Sequence, residues 1–159
     1  MNLDLTSDLV QAEKAALRLI ARAEQNVSGL SRKLLKKGYD SECVQAVIEK
    51  LCETGLLNDR RYARLWLESR IARQASSPLR LLSALRARNI NRHDAECALD
   101  ETLDDEAELQ LLHRFAEKLQ RRQIRKGHDD DSDSAQPLQY ILRSEGFSQK
   151  AIQSYFDNP

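Results

Sequence analysis

Several residue types that mark particular classes of protein are scarce in this chain of 159 residues. Its three cysteines, Cys43, Cys52 and Cys97, are an odd number and fall within predicted helices, so we expect reduced thiols rather than a disulfide framework. No apolar run approaches the roughly 20 residues that span a bilayer. The N-terminal stretch, with Asp4 and Asp8 and no basic leader, does not resemble a signal peptide. These absences favour a cytoplasmic protein without a membrane segment.

Patterns that carry catalysis or hold metal ions are missing as well. The sequence has no glycine-rich phosphate loop. Cys43 and Cys52 lie on different turns of one predicted helix without a nearby histidine pair, which is not the pattern of a zinc site. The acidic stretch that begins at Asp129 has neither the glycine nor the twelfth-position glutamate of a calcium loop. We therefore expect no enzymatic activity, no metal and no cofactor.

Strand signals are also absent. β-Branched residues are scattered, no alternating apolar run lasts beyond a few residues, and aromatic residues make up only 5% of the chain. Cores built mainly from Leu, Ile and Ala suit small helical units. The sequence therefore predicts an all-α fold.

What the chain does contain is a threefold repeat. Gly38, Asn89 and Gly146 serve as anchors that are 51 and 57 residues apart. Leucines lie eight and four residues before each anchor, an aromatic residue or Ile follows it, and apolar residues lie six and ten positions after it. Residues four apart share one face of a helix, and Gly or Asn tolerates the left-handed conformation that ends a helix. Each copy therefore predicts a helix, a tight turn and a second helix.

The residues after the turns support this interpretation. Asp40, Asn91 and Ser148 lie two positions after the anchors, where a new helix needs an N-cap. A further apolar stripe precedes each hairpin, so we predict three repeats of three helices each, with boundaries at 1–55, 56–103 and 104–159. Such repeats stack into an elongated, curved array that offers a long surface rather than one pocket. Within the third repeat, the acidic insert 127–136 predicts a disordered loop.

Charge is strongly segregated although the formal net charge is zero. The segment 60–92 contains nine arginines and one acidic residue, Glu68, whereas 93–109 contains eight carboxylates and no Lys or Arg. Arginine forks suit phosphates and carboxylates, so the basic segment predicts a contact surface for DNA or a protein partner. The alternative is that the two adjacent segments pair with each other and leave solvated faces.

One stretch resembles a known family. Residues 55–63, Gly-Leu-Leu-Asn-Asp-Arg-Arg-Tyr-Ala, followed by Trp66, Ser69 and Arg70, resemble the central signature of the RecX family. The stretches 30–39, 81–90 and 141–147 resemble its three repeats, so the resemblance covers about 12–156. Three features depart from the family pattern. Ser77-Pro78 stands where Gly-Pro or Gly is usual before the second hairpin, Asn89 stands where Gly is usual in the second turn, and the acidic insert has no counterpart that we associate with the family.

The resemblance implies a regulator that binds the RecA filament and inhibits its extension, strand exchange and ATP hydrolysis. We expect a monomer whose contacts with RecA come from the basic segment, with nonspecific DNA contact as an accessory activity. The residues predicted to make these contacts are Arg61, Arg70, Arg73, Arg80, Arg86 and Arg88. Two alternatives remain open at this point: a helix-turn-helix reader of DNA sequence and a general helical adaptor.

Overall fold

The computed structural model describes residues 2–125 and 137–157, and the regular structure within these ranges is entirely α-helical. The acidic insert predicted at 127–136 lies outside the described residues. No helix in the described ranges is long and apolar enough to cross a bilayer. The helices are α1 (Asn2–Arg22), α2 (Val27–Lys36), α3 (Ser41–Glu53), α4 (Asp59–Arg73), α5 (Pro78–Arg86), α6 (Arg92–Thr102), α7 (Asp105–Arg125), α8 (Leu138–Ser144) and α9 (Gln149–Asp157).

The helices associate in three triplets with the same internal packing. In each triplet the third helix packs on both of the others: α3 on α1 and α2, α6 on α4 and α5, and α9 on α7 and α8. We refer to α1–α3, α4–α6 and α7–α9 as the first, second and third triplets. This arrangement confirms the predicted all-α helical array. The three sequence boundaries themselves stay a prediction.

The turn inside each triplet follows the predicted chemistry. Gly38, Asn89 and Gly146 have φ angles of 91°, 60° and 88°, and Asn89 is the one non-glycine residue with positive φ in the described ranges. Asn is one of the few residues that adopt this left-handed conformation without a large penalty. In each turn the residue after the anchor donates its backbone N–H to the carbonyl of the leucine four residues before the anchor, at 3.2 to 3.4 Å. Closing hydrogen bonds of this kind satisfy carbonyls at the helix end.

The caps that start the following helices are confirmed too. The Asp40 carboxylate accepts a hydrogen bond from the Glu42 backbone N–H at 2.9 Å, and the Asn91 side-chain oxygen accepts one from Asp94 at 2.8 Å. The Ser148 hydroxyl accepts one from the Ala151 N–H at 3.1 Å. Each cap satisfies one of the backbone donors that a helix start leaves unpaired.

Buried side chains form two separate cores. One lies in the first triplet and includes Leu30, Leu34 and Leu51. The other is continuous through the second and third triplets, where Leu67 and Leu85 belong to the same cluster as Leu112, Leu142 and Ile152. The repeats therefore do not contribute equally spaced, independent cores.

Candidate interaction surfaces

The six arginines predicted to contact a partner lie on the second triplet. Arg61, Arg70 and Arg73 belong to α4, Arg80 and Arg86 to α5, and Arg88 to the turn that follows. They fall into three structural groups: arginines held across a junction between triplets, arginines placed over an aromatic ring, and exposed arginines.

Arg61 is held at the junction of the first and second triplets. Its Nε donates to Glu24 Oε1 at 2.7 Å, and its two terminal nitrogens donate to the carbonyl oxygens of Gly55 and Leu56, each at 2.9 Å. Because these three acceptors engage both sides of the guanidinium, Arg61 ties the loop before α2 to the loop before α4.

Arg80 connects the second and third triplets in the same way as Arg61 connects the first and second. Its guanidinium binds both carboxylate oxygens of Glu145, at 2.8 and 3.2 Å, and the Ser77 hydroxyl donates to the same carboxylate. Burial alone raises the pKa of Glu145, but the hydrogen bonds from Arg80 and Ser77 and the charge of Arg80 outweigh it, so the pKa lies below its ordinary value. Glu145 is therefore held as a charged carboxylate between α5 and α8.

Arg70 and Arg88 lie over the indole ring of Trp66. Their guanidinium carbons are 5.2 and 4.6 Å from the ring centroid, and the Arg88 side chain also donates to the Ala84 carbonyl at 2.8 Å. Cations at this distance are attracted by the face of an aromatic ring. Trp66 is half-buried against the second core, and two cations lie over its ring.

Arg73 and Arg86 are the exposed members of the set. Neither side chain makes a hydrogen bond or ion pair with the residues that the structure describes. Arg86 lines a groove of about 420 Å³ together with Arg92, Leu82 and Leu79, which is 53% exposed. Its lining combines apolar side chains with Arg86 and with the Arg92–Glu96 ion pair, and protein-binding surfaces commonly mix apolar and polar groups in this way.

A polar cleft of about 490 Å³ separates the first triplet from the second. The buried Asn26 side chain donates to the Arg88 carbonyl at 2.8 Å, and Asn89 donates to the Ser28 hydroxyl at 2.8 Å. At the start of α4, an Asp59 carboxylate oxygen accepts the Val27 backbone N–H at 2.7 Å. These side-chain hydrogen bonds connect the triplets.

Asp59 occupies an unfavourable environment for a charge. Burial raises the pKa of its carboxyl, the Val27 hydrogen bond partly offsets this, and the nearby charge of Asp94 raises the pKa further. Asp59 occupies the first helical position of α4, where Asn58 is the N-cap, and its carboxylate also contacts the Val27 backbone.

Cations outside the predicted set come close to two of its members. A groove of about 840 Å³ runs between α7 and the segment that joins α4 to α5. Arg73 and Arg80 line one side of it, and four cations of α7 line the other: Arg114, Lys118, Arg121 and Arg122. Sequence reasoning missed these four because they lie outside the two segments in which charge is segregated, 60–92 and 93–109. Their spacing along one helix is the signal that identifies them.

The acidic segment neutralises only part of the basic one. Arg60 pairs with Glu101, and Arg92 pairs with Glu96 at 2.7 Å. Three other arginines of 60–92 have carboxylate partners outside 93–109: Arg61, Arg64 and Arg80. The remaining four have no carboxylate within 4.0 Å among the described residues: Arg70, Arg73, Arg86 and Arg88.

The other chemistry-bearing residues have structural surroundings. The His113 ring packs against the Tyr155 ring, with centroids 4.7 Å apart and the planes tilted by 60°, and Cys43 is buried. Within residues 2–125 and 137–157, no three His, Cys, Asp or Glu side chains come together in a group that could hold a metal ion.

Two family models match the chain. Residues 12–51 match the first three-helix domain of RecX, and residues 58–99 match the second. The first match covers most of the first triplet, and the second runs from the N-cap of α4 into α6.

Curated relatives match over much of their length. The regulatory protein RecX of Treponema pallidum is 39% identical over 112 residues, which cover 70% of this chain and 68% of the relative. The regulatory protein RecX of Pelodictyon phaeoclathratiforme is 34% identical over 139 residues, 87% of this chain and 82% of the relative. These relatives are named as regulatory proteins.

Solved structures share the fold. A crystal structure of regulatory protein RecX superposes with a TM-score of 0.78 at 22% identity, covering 98% of this chain and 74% of the other. RecX from Lactobacillus salivarius superposes with a TM-score of 0.72 at 22% identity and covers 96% of both chains.

Proposed function

Because this chain belongs to the RecX family, we propose that it binds the RecA nucleoprotein filament and inhibits filament extension, strand exchange and ATP hydrolysis. Family membership is the observation that carries the proposal. The matches lie in the family's order, first domain before second, and a relative at 34% identity aligns over 82% of its own length.

The repeated architecture suits a filamentous target. A filament presents the same subunit surface at regular intervals, and three similar triplets offer related surfaces along one chain. Once one triplet has bound, the next contact is intramolecular, so weak contacts combine into a stable complex through effective concentration. The three similar triplets therefore favour a filament over a single globular partner.

The second triplet is the proposed centre of the contact surface. Arg70, Arg73, Arg86 and Arg88 have no carboxylate partner among the described residues, so their charge is available to an acidic surface. Arg61 and Arg80 are tied to Glu24 and Glu145 and contribute by holding the triplets in place. The proposal therefore narrows the six predicted contact residues to four.

Charge reversal of two of these arginines tests the proposal. We expect Arg86→Glu combined with Arg88→Glu to raise the concentration needed for half-maximal inhibition of RecA-driven ATP hydrolysis at least about tenfold, since like charges at an interface are repulsive. The single variant Arg86→Glu leaves the Arg88–Trp66 contact intact and should give a smaller shift in the same direction.

The matched control reverses two exposed arginines of α1, Arg18 and Arg22, which changes the net charge by the same amount. We expect its inhibition curve to stay within about twofold of the unaltered chain. Helical circular dichroism and a cooperative thermal unfolding transition establish that each variant is folded, because replacing Arg88 changes the surroundings of Trp66, the single tryptophan of the chain, directly. If the folded double variant inhibits at the original concentration, the second triplet is not the contact surface.

A reader of DNA sequence is the less favoured alternative. In a helix-turn-helix protein the last helix of the hairpin enters the major groove. Here that helix in the second triplet, α6, carries Asp94, Glu96, Asp100 and Glu101 on exposed or half-exposed positions. Such a helix would be repelled by phosphates on both sides of the groove.

A further inference from the structure

The groove beside α7, which we call the α7 groove, has an unusual lining. Of the eight residues that line it, six are cations and one, Glu117, is an acid. The remaining lining residue is Ala75, so the lining includes no aromatic or large aliphatic side chain. The cations are Arg73, Arg80, Arg114, Lys118, Arg121 and Arg122.

The cations of α7 form a stripe along the helix. Arg114, Lys118, Arg121 and Arg122 are spaced by four, three and one residues, a spacing that places them on one side of α7. The stripe extends over about two turns, or roughly 12 Å at 1.5 Å per residue. A stripe of this kind follows a chain of charges better than it surrounds a single ion.

Contacts with the end of α4 hold part of the stripe in place. Lys118 Nζ donates to the Ala75 carbonyl at 3.1 Å, and Arg114 donates to the Ala72 carbonyl at 3.5 Å. Both acceptors lie at or just beyond the last turn of α4, where helix carbonyls lack intrahelical partners. These bonds position α7 against the second triplet. Five of the six cations around the groove are exposed, and three of them make no contact with these two carbonyls or with Glu145: Arg73, Arg121 and Arg122.

The carboxylates near the groove do not neutralise it. Glu117 pairs with Arg121 at 3.4 Å, but the Arg121 side chain is 78% exposed, and exposed pairs of this type contribute little. Glu145 compensates Arg80 alone among the cations of the lining. The positive potential over Arg73, Lys118 and Arg122 is thus left for a bound anion.

We propose that the α7 groove binds the phosphodiester backbone of a nucleic acid without reading its sequence. The cationic stripe favours a polyanion, and the arginine forks match phosphate oxygens. A protein partner would be expected to place apolar or aromatic anchors in the groove, and the lining offers no apolar surface beyond Ala75 to receive them. With no aromatic side chain in the lining, the groove offers no platform on which bases could stack.

This inference goes beyond the proposed function, because it assigns a second ligand to a groove that shares only Arg73 with the four proposed RecA-contact residues and does not require RecA. The groove proposal and the proposed function can be refuted independently of each other. A chain that binds RecA through the second triplet but has no affinity for DNA would refute the α7 groove alone. A chain that binds DNA here but leaves RecA unaffected would refute the proposed function alone.

The test measures the affinity of the full chain for a fluorescent DNA duplex of about 30 base pairs and for a single strand of the same sequence. Binding is measured without RecA at several salt concentrations. Arg121→Glu combined with Arg122→Glu should lower the affinity for the duplex at least tenfold. Each lost phosphate contact should reduce the slope of log K against log salt by about one. The Arg18→Glu and Arg22→Glu control should bind within about twofold of the unaltered chain.

A second variant, Arg73→Glu, changes a cation on the opposite side of the groove, in α4. Because it leaves α7 unaltered, weaker duplex binding by this variant could not be due to a disturbed α7 helix. We expect Arg73→Glu to weaken duplex binding with circular dichroism unchanged. Because backbone contact needs no exposed bases, the duplex should bind at least as tightly as the single strand, and poly-glutamate should compete poorly with it.

Three results would overturn the inference. The first is unchanged affinity of both folded groove variants. The second is a tenfold preference of the unaltered chain for the single strand, which would indicate base contacts. The third is displacement of the duplex by poly-glutamate as effectively as by unlabelled duplex, which would indicate a site for an acidic protein.

Discussion

The two junctions between triplets differ in what holds them together. Between the first and second triplets the contacts are polar: Asn26 with Arg88, Asp59 with Val27, and the ion pair of Arg61 with Glu24. Between the second and third triplets a single apolar core continues from one to the other. There the ion pair of Arg80 with Glu145 lies at the edge of shared packing.

This difference has a mechanical consequence. A continuous core couples the stabilities of the elements that share it, so the second and third triplets should unfold together. The hydrogen bonds at the polar junction are only partly buried, and hydrogen bonds of this kind contribute about 1 kcal/mol each. The first triplet should therefore open or shift with less effect on its neighbour, which would let the array adapt to a helical target.

The largest expected effect comes from truncating one buried leucine in each core. The unfolding of the second triplet is then followed by the fluorescence of Trp66. Leu142→Ala, in the third triplet, removes a fully buried side chain of the shared core and should lower the free energy of unfolding by about 3 kcal/mol. The Trp66 fluorescence transition should move with it. Leu34→Ala, in the first triplet, makes an equally buried truncation in the other core.

Denaturant unfolding, observed by both Trp66 fluorescence and circular dichroism, distinguishes the two variants. For Leu34→Ala the Trp66 midpoint should stay close to that of the unaltered chain while part of the helical signal is lost at lower denaturant. Equal shifts of the Trp66 midpoint in both variants would mean that the two junctions transmit stability equally.

Gly146, at the apolar junction, and Gly38, in the first triplet, should be equally sensitive to an added side chain. Both have a left-handed backbone conformation, which costs an L-residue about 1 kcal/mol. A Cβ at Gly146 would lie at ordinary contact distance from Leu79, 3.4 Å from its backbone nitrogen, and a Cβ at Gly38 would meet no atom within 4 Å, so neither site adds a steric clash. Thermal unfolding should show Gly146→Ala and Gly38→Ala destabilised by similar amounts, about 1 kcal/mol each. A clearly larger loss for Gly146→Ala would mean that the apolar junction is packed too tightly to accept a Cβ.

Glu145 predicts an acid-sensitive contribution at the apolar junction. Its pKa is lowered, so its charged form stabilises the folded chain at neutral pH, and this contribution is lost as pH falls below the ordinary value of 4.5 towards the folded-state pKa. Glu145→Gln keeps the shape but removes the charge and should reduce stability at pH 7 by about 1 kcal/mol. The difference between the two proteins should shrink between pH 6 and pH 3 in chemical unfolding; a constant difference would exclude the charge as its cause.

Asp59 predicts the opposite pH response at the polar junction, with the smallest effect. Because its pKa is raised above 3.8, the charged form is disfavoured in the folded chain, and this penalty is relieved as pH falls through the folded-state pKa. Asp59→Asn keeps an acceptor for the Val27 N–H and should be within about 0.5 kcal/mol of the unaltered chain at pH 7. As pH falls from 7 towards the ordinary value of 3.8, the unaltered chain should gain stability relative to the variant. A relative loss over this fall in pH would contradict the assignment.

Local chemistry explains why the fold could be predicted well. The left-handed turns at Gly38, Asn89 and Gly146 and the caps at Asp40, Asn91 and Ser148 depend on residues within a few positions of one another. Such short-range signals are visible in the order of residues.

The junctions could not be predicted in the same way. Asn26 and Arg88 are 62 residues apart and Ser77 and Glu145 are 68 apart, so each pair is brought together only by the stacking of triplets. Arg73 is likewise far in sequence from the cations of α7 that line the same groove. Arg61 and Arg80 were predicted as contact residues because their carboxylate partners in neighbouring triplets, Glu24 and Glu145, are also distant in sequence.

Binding to the RecA filament is tested most directly by co-sedimentation with RecA-coated single-stranded DNA, compared with the same DNA without RecA at matched nucleotide concentration. We expect the chain to sediment with the coated DNA at concentrations at least tenfold below those needed for naked DNA, and Arg86→Glu with Arg88→Glu to reduce this preference. Equal binding to coated and naked DNA, or tighter binding to naked DNA, would contradict the proposed function.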